Sequence, residues 1–168
     1  SILDWIVEEC SKRELYVILD MHGAVGSQSD APHSGRAFQG AQLYEDSARG
    51  EEYRRLTKEL WTAIASRFNG NPAVAMYDLL NEPMCDVPCG ELKRRINNET
   101  IYNRLYKTVR AVDQDHVITM EAIWTGFALP WSFMRGWDNV VYQVHFYNNN
   151  DFIFNFFLLL TMAIHPNV

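Results

Sequence analysis

The sequence predicts an α/β fold in which short parallel strands alternate with helices. Four short apolar runs are rich in β-branched and aromatic residues, as strands buried on both faces are. Between them lie segments with apolar residues at helical spacing. This alternation is typical of βαβ units that build a parallel sheet.

The first half of the chain predicts a helix, a strand, a long loop and a second helix. Apolar residues at helical spacing predict a first helix that ends near Arg13, and residues 15–19 form the first strand. Residues 22–50 are rich in Gly, Ser, Asp, Pro and Gln, which predicts a long loop of the kind that is usually functional. A second helix follows, with Glu51 and Glu52 in its first turn and apolar positions from Tyr53 to Phe68, and Gly70 and Pro72 stop it.

The second half continues the alternation. Residues 73–80 predict a second strand, and the apolar spacing from Tyr102 to Val112 predicts a third helix. Residues 117–120 and 140–144 predict the third and fourth strands. Right-handed crossovers would place the C-terminal ends of all four strands at one side. An open doubly wound sheet also fits this order, but no glycine-rich phosphate loop follows any strand, so a nucleotide-binding sheet is not supported.

Polar residues cluster where the predicted strands end. One such residue alone would be an ordinary loop or core side chain, but here the placement repeats at all four strands. Active sites of parallel α/β barrels are assembled at that end of the strands. The strand-end residues are Asp20 and His22, then Asn81 and Glu82, then Glu121, and finally His145 and Tyr147.

Glu82 is the strongest candidate for chemistry. It follows an apolar run, where an unpaired carboxylate is costly to bury, and Pro83 disfavours an α conformation for it. A partly desolvated carboxyl holds its proton at higher pH and can protonate a leaving oxygen. The alternative is a surface glutamate in a turn.

Several segments resemble family 5 glycoside hydrolases, the cellulase-like barrels of clan A. The resemblance covers roughly residues 1–147 in the same order, and residues 148–168 depart from it as an atypical apolar tail. It implies a partial (β/α)8 TIM barrel, roughly strands 3 to 6 with their helices. The matching segments are Leu80-Asn81-Glu82-Pro83, the preceding residues 67–72, residues 20–28 and His145-Phe146-Tyr147.

The resemblance also implies a function and site roles. The expected activity is hydrolysis of O-glycosyl bonds in a β-glucan such as cellulose by a retaining mechanism with two carboxylates, and no metal or organic cofactor. The implied partner is a polysaccharide or oligosaccharide substrate. Glu82 matches the acid/base, and the implied substrate-site residues are His22, Asn81, His145, Tyr147 and Trp124, with a core position as the alternative for Trp124.

The nucleophile is the missing part of this resemblance. In the family it is a glutamate that ends the seventh strand, and no such strand is recognisable here. We therefore expect this chain to be inactive by itself. Glu121, which also ends a strand, is a weaker substitute. A non-catalytic carbohydrate-binding remnant of the same fold, or a mannanase or other β-glycanase specificity, are the alternatives.

Charge and composition exclude some partners. The formal net charge of −6 argues against nucleic acid and gives no reason to expect attraction to an anionic membrane. The apolar residues 152–164 are too few to span a bilayer. Cys85 and Cys89 lie in one loop and either pair or remain free thiols. The sequon Asn98-Glu99-Thr100, together with the family resemblance, leads us to expect secretion.

Overall fold

The computed structural model describes residues 1–34, 38–84, 91–121, 129–130 and 132–145. The predictions for Cys85, Cys89, Trp124, Tyr147 and the tail at residues 148–168 lie outside these residues.

The described part contains one sheet of four parallel strands in the order β1-β2-β3-β4. The register places Asp20 beside Asp78 and Glu121 beside Gln143. The C-terminal ends of all four strands therefore lie along one edge, as the sequence predicts. The strands are β1 (Val17–Asp20), β2 (Val74–Asp78), β3 (Val117–Glu121) and β4 (Val140–Gln143).

Helices alternate with the strands, which confirms the predicted α/β class. Two short 3₁₀ helices, Pro32–Ser34 and Gln42–Tyr44, interrupt the long loop after β1. The α-helices are α1 (Ile2–Ser11), α2 (Ala48–Phe68), α3 (Glu91–Arg110) and the short α4 (Ser132–Arg135).

Local sequence signals set the bounds of α2. The Ser47 side chain caps the helix by accepting from the Gly50 N–H at 3.1 Å. At the other end Gly70 has φ +72°, a conformation that glycine adopts without strain. Between these ends the helix turns Trp61, Ala65 and Phe68 toward the core.

The core lies between the sheet and the inner faces of α2 and α3. Trp61 meets Tyr77 of β2 edge-on, with ring centroids 5.7 Å apart, and its indole N–H donates to the Leu79 carbonyl at 3.1 Å. Tyr102 and Leu105 of α3 are likewise buried. The two helices thus hold β2 in place, and the segment carrying Glu82 leaves this strand.

The first strand differs from its prediction. The run at residues 15–19 predicts a strand buried on both faces, yet Leu15 and Tyr16 lie before β1 and are exposed, and Ile18 is 51% exposed. Strand β1 pairs with β2 only and forms an edge of the described sheet. Its outer side therefore has no strand among the described residues to cover it.

A buried polar cluster lies at the opposite end of the sheet, before β3. One oxygen of Asp113, Oδ2, accepts from the Tyr77 hydroxyl at 2.8 Å and lies 2.6 Å from His116 Nδ1. The other oxygen accepts from the His116 N–H at 3.0 Å. These hydrogen bonds outweigh burial and lower the pKa of Asp113. This cluster supports the fold and is remote from the strand ends where the site lies.

Candidate active site at the C-terminal ends of the strands

Glu82 lies just beyond β2 and is 6% exposed. Its Oε1 atom is 2.7 Å from Nδ1 of His145, which follows β4. The structure therefore brings together two of the predicted site residues from strands that are not neighbours in the sheet. A carboxyl paired this closely with an imidazole is well placed to exchange protons.

The backbone of Glu82 is strained. Its φ is +42°, in the left-handed region that non-glycine residues seldom occupy. Pro83 disfavours the right-handed helical conformation for this residue, and the observed φ lies outside that region. Such a conformation costs about 1–3 kcal/mol and persists only where surrounding contacts hold it.

Glu121 supplies one of these contacts. Its Oε2 atom accepts from the Glu82 backbone N–H at 2.5 Å, and its side chain is 2% exposed. Its other oxygen, Oε1, accepts from the Gln143 amide at 3.3 Å and lies 3.3 Å from His145 Nε2. Because both oxygens are engaged and buried, Glu121 is unsuited to attack a sugar as a nucleophile.

Gln28, in the loop after β1, supplies a second contact. Its amide nitrogen donates to the Asn81 carbonyl at 2.8 Å and to the His22 carbonyl at 3.0 Å. Its amide oxygen accepts from the Ala24 N–H at 2.9 Å, and its backbone carbonyl accepts from the Met84 N–H at 2.7 Å. This fully buried side chain ties the end of β1 to the segment that carries Glu82.

The loop must take an unusual path to bury Gln28. Gly26 has φ +80°, and a Cβ atom there would lie 2.2 Å from the Tyr53 ring. Only glycine fits this position, because any side chain would clash with α2. The buried hydroxyls of Ser27 and Ser34, 2.6 Å apart, hold the following turn.

Gln143 contacts the other ring nitrogen of His145. Its amide nitrogen lies 2.7 Å from His145 Nε2. The opposite ring nitrogen, Nδ1, faces Glu82 Oε1. The chain of contacts from β4 therefore ends at the carboxyl of Glu82.

Asp78 and Glu121 form a second, deeper carboxyl pair. Asp78 is buried in β2 and hydrogen-bonds Glu121. Burial, together with the charges of Glu121 and Asp20, raises the pKa of Asp78 to about 9. Burial also raises the pKa of Glu121, against the opposing effects of the Glu82 N–H and His145. Two adjacent buried carboxylates repel each other, so the pair retains a proton at neutral pH.

The proton of this pair belongs on Asp78. The Oδ1 atom of Asp78 is buried and has no hydrogen-bond partner among the described residues. Glu121, in contrast, accepts from Glu82 and Gln143. An unpaired oxygen costs less on a neutral acid than on a carboxylate, and the donors favour the charge on Glu121.

Two other predicted site residues, His22 and Asn81, also lie at this end of the sheet, and they differ in exposure. His22 is exposed and pairs its Nδ1 with Asp20 Oδ2 at 2.7 Å, while its carbonyl is bound by Gln28. Asn81 is buried, and its N–H donates to the Met21 carbonyl at 3.2 Å. The roles predicted for Trp124 and Tyr147 remain predictions.

Sequence reasoning missed Gln28, Asp78 and Gln143 as parts of the site. Asp78 and Gln143 each place a polar side chain inside an otherwise apolar run, and that was a usable signal. Gln28 lies in a polar loop, where nothing in the sequence separates it from its neighbours.

The sequon does not offer an accessible glycosylation site in the folded protein. Asn98 is 1% exposed, its Oδ1 accepts from the Tyr44 hydroxyl at 3.0 Å, and its amide nitrogen donates to the Pro83 carbonyl at 3.2 Å. The sequon thus lends no support to secretion, which stays an expectation from the family resemblance.

In the part of the chain that the structure describes, no group of three or more His, Cys, Asp or Glu side chains is arranged to hold a metal ion. Over the same residues, no helix has both the length and the apolar character needed to cross a membrane.

Four consecutive parallel strands with their helices form part of an α/β barrel, and a histidine-paired carboxyl lies at their C-terminal ends. The family model described as cellulase (glycosyl hydrolase family 5) matches residues 1–159. The chain belongs to this family.

Relatives agree with this assignment. A β-xylosidase of Phanerodontia chrysosporium is 27% identical over 150 residues, covering 87% of this chain and 29% of the relative. A glucan 1,3-β-glucosidase D of Emericella nidulans is 35% identical over 81 residues, covering 46% of this chain and 10% of the relative. The chain thus spans less than a third of the length of either relative.

Solved structures show the same fold. Endo-glycoceramidase II from Rhodococcus sp. aligns with a TM-score of 0.64 at 23% identity, covering 86% of this chain and 42% of that one. The partial barrel expected from the sequence is therefore confirmed.

Proposed function

We propose that this chain carries the acid/base half of a retaining glycosidase that hydrolyses O-glycosyl bonds in a β-glucan such as cellulose. The observation that supports this most directly is the placement of Glu82. It follows Asn81 at the end of a parallel strand, is nearly buried, and lies 2.7 Å from His145 Nδ1.

The proposed chemistry needs one group that first gives and then takes a proton. Glu82 protonates the leaving glycosidic oxygen, and as a carboxylate it then removes a proton from the attacking water. His145 holds the Oε1 atom of this carboxyl in place. The covalent intermediate requires a second carboxylate about 5–5.5 Å away, and neither Glu121 nor Asp78 is suited to that part.

The proposed substrate class has two supports. The matching family model is described as cellulase, and one relative is named a glucan 1,3-β-glucosidase. Asn81, at the position that in the family binds the sugar 2-hydroxyl, lies directly before Glu82. Trp124 and Tyr147 are proposed to stack on or contact the sugar rings.

The proposal is tested with Glu82→Gln in an active protein that contains this chain. Hydrolysis of a β-glucan is expected to fall by about 10²–10⁴-fold, because general acid help is lost. An activated aryl glycoside, whose leaving group needs no proton, should lose less in the first step. Glu59→Gln on the exposed side of α2 is the matched control. Equal β-glucan activity in Glu82→Gln and the parent would exclude the assignment.

A non-catalytic sugar-binding role is the second candidate. It is favoured by the carboxylates around Glu82, since Asp78 and Glu121 are both buried and paired with each other. Isothermal calorimetry with cello-oligosaccharides separates the two functions. Binding without any release of reducing sugar, in a protein whose chain contains all eight barrel strands, would favour the binding role.

A further inference from the structure

The peptide unit between Asn81 and Glu82 is held at both ends. Its carbonyl accepts from the Gln28 amide nitrogen at 2.8 Å, and its N–H donates to Glu121 Oε2 at 2.5 Å. Both side chains are fully buried, and they approach from opposite neighbours of β2. Gln28 follows β1, while Glu121 ends β3.

This arrangement controls the direction of the Glu82 side chain. A peptide unit is planar, and its carbonyl and N–H point in opposite directions. Rotating the plane would disturb both hydrogen bonds, so the two bonds together restrain φ of Glu82. That φ is the strained value of +42°. Two buried hydrogen bonds, one of them to a charged group, are strong enough to offset strain of about 1–3 kcal/mol.

Glu121 also reaches the side-chain partner of Glu82. Its Oε1 atom lies 3.3 Å from both the Gln143 amide nitrogen and His145 Nε2. A closed ring of contacts therefore runs from the Glu82 N–H through Glu121 and His145 back to Glu82 Oε1. The backbone and the carboxyl of Glu82 are fixed against the same residue.

We propose that Gln28 and Glu121 are positioning residues that clamp the Asn81–Glu82 peptide and so keep the Glu82 carboxyl against His145. This proposal rests on the proposed role of Glu82 as the acid/base. Neither residue touches the reacting atoms. Both act on the reaction through the orientation of Glu82.

Asp78 lets Glu121 carry its charge in this buried place. The proton of the carboxyl pair sits on Asp78, so only one negative charge remains, and the Glu82 N–H and the Gln143 amide donate to it. Removing the acceptor at position 121 should therefore matter more than removing the proton holder at position 78.

The variants separate the effect of losing the Gln28 donor from the effect of losing the Glu121 acceptor, while the side-chain shape is kept where possible. Gln28→Glu keeps the shape and the oxygen that faces Ala24, but it removes the donor to Asn81. Glu121→Leu removes the acceptor, whereas Glu121→Gln retains one and is the conservative rescue. Ile118→Ala, a fully buried change on the same strand, is the control for lost stability alone.

The first measurement needs no turnover. In a spectrum of the ¹⁵N-glutamate-labelled chain, the short bond to a carboxylate should displace the Glu82 amide proton strongly downfield. The displacement should be lost in Glu121→Leu, be partly kept in Glu121→Gln and persist in Ile118→Ala. An unchanged Glu82 amide resonance in a folded Glu121→Leu variant would overturn the clamp. If Glu121→Leu does not fold, an unchanged Glu82 amide resonance in the Gln28→Glu variant would overturn the clamp instead.

The second measurement is kinetic and uses an active protein that contains this chain. Gln28→Glu and Glu121→Leu should each lower kcat on a β-glucan by about 100-fold with KM little changed, as expected for a misplaced catalytic group. The loss should be smaller on an activated aryl glycoside, and Glu121→Gln should recover most of it. Ile118→Ala should leave kcat unchanged.

The two measurements distinguish the possible failures. Full β-glucan activity in Glu82→Gln would remove the proposed function, while the amide resonance would still decide whether the clamp exists. Loss of activity in Glu82→Gln with parental kcat in Gln28→Glu and Glu121→Leu would keep the function and overturn the positioning role.

Discussion

His145 Nδ1 and Glu82 Oε1 lie 2.7 Å apart, although the strands that precede them, β4 and β2, are separated in the sheet by β3. The contact passes over the end of β3, where Glu121 is buried. Three consecutive strands thus contribute to one hydrogen-bonded group. Parallel strands make this possible because their C-terminal ends share an edge.

The first prediction concerns His145. His145→Phe keeps a flat ring but removes the ring nitrogen that faces Glu82 Oε1. In an active protein that contains this chain, kcat on a β-glucan should fall by about 10–100-fold, because the carboxyl loses its fixed direction. Steady-state kinetics with Glu59→Gln as the control would measure this. A kcat equal to that of the parent would show that the contact has no catalytic consequence.

The second prediction concerns Asp78 and pH. Burial beside Glu121 and Asp20 raises the pKa of Asp78 to about 9 in the folded chain, whereas an unfolded chain titrates Asp near 4. Across this window the folded state holds a proton that the unfolded state has released. The free energy of unfolding therefore falls as the pH rises from about 4 to about 9.

Asp78→Asn removes this dependence, because the amide imitates the neutral acid. The slope of the unfolding free energy against pH should become flatter by at most about 1.4 kcal/mol per pH unit. The raised pKa of Glu121 acts with the same sign, and Asp113, whose pKa is lowered, titrates below the window. Urea denaturation of both proteins at several pH values measures the slopes. Identical slopes would mean that Asp78 is ionised in the folded state.

The third prediction concerns the opposite end of the sheet. Asp113→Ala leaves the Tyr77 hydroxyl, the His116 ring and two backbone N–H groups without their acceptor. We expect a loss of about 3 kcal/mol of unfolding free energy, against about 1 kcal/mol for Tyr77→Phe. The Glu82 amide resonance should not move in either variant. A shift of that resonance would show that this cluster is coupled to the site.

The alternation of elements was predictable because burial leaves a periodic trace in the sequence. The prediction of element bounds and burial failed where the local sequence does not determine which residues are buried. Helix α3 begins at Glu91, well before its first predicted apolar residue, Tyr102, since its N-terminal half is polar. The strand at residues 15–19 was predicted as buried on both faces, and Ile18 is instead exposed at the sheet edge.

The site was predictable to the extent that each residue ends a strand. The meeting of Glu82 with His145 follows from parallel pairing, and Glu121 was recognised as a strand end. The function of Glu121 was not predictable, because it depends on the neighbouring residues that bind both of its carboxylate oxygens. Gln28 binds a backbone carbonyl that is 53 residues away in the chain. When a side chain donates to a backbone carbonyl, the sequence around the accepting residue does not reveal the hydrogen bond.

The fourth prediction concerns Asn98. Folded protein from a secretory host should carry no glycan at this residue, because its amide is buried between Tyr44 and Pro83. Intact mass before and after treatment with an amide-cleaving glycosidase would test this. Asn98→Asp should lower the unfolding free energy by about 1–3 kcal/mol, since the donor to the Pro83 carbonyl is lost. A glycan on the folded protein would contradict the placement of this side chain.

The last prediction is that the 168-residue chain does not hydrolyse glycosidic bonds by itself. A retaining mechanism needs a nucleophilic carboxylate beside the sugar. Among the described residues around Glu82, Asp78 holds a proton and Glu121 is buried with both oxygens engaged. Purified chain should therefore release neither reducing sugar nor an activated aryl group. Turnover abolished by both Glu82→Gln and Glu121→Gln would make Glu121 the nucleophile, whereas turnover indifferent to both would indicate a contaminating enzyme.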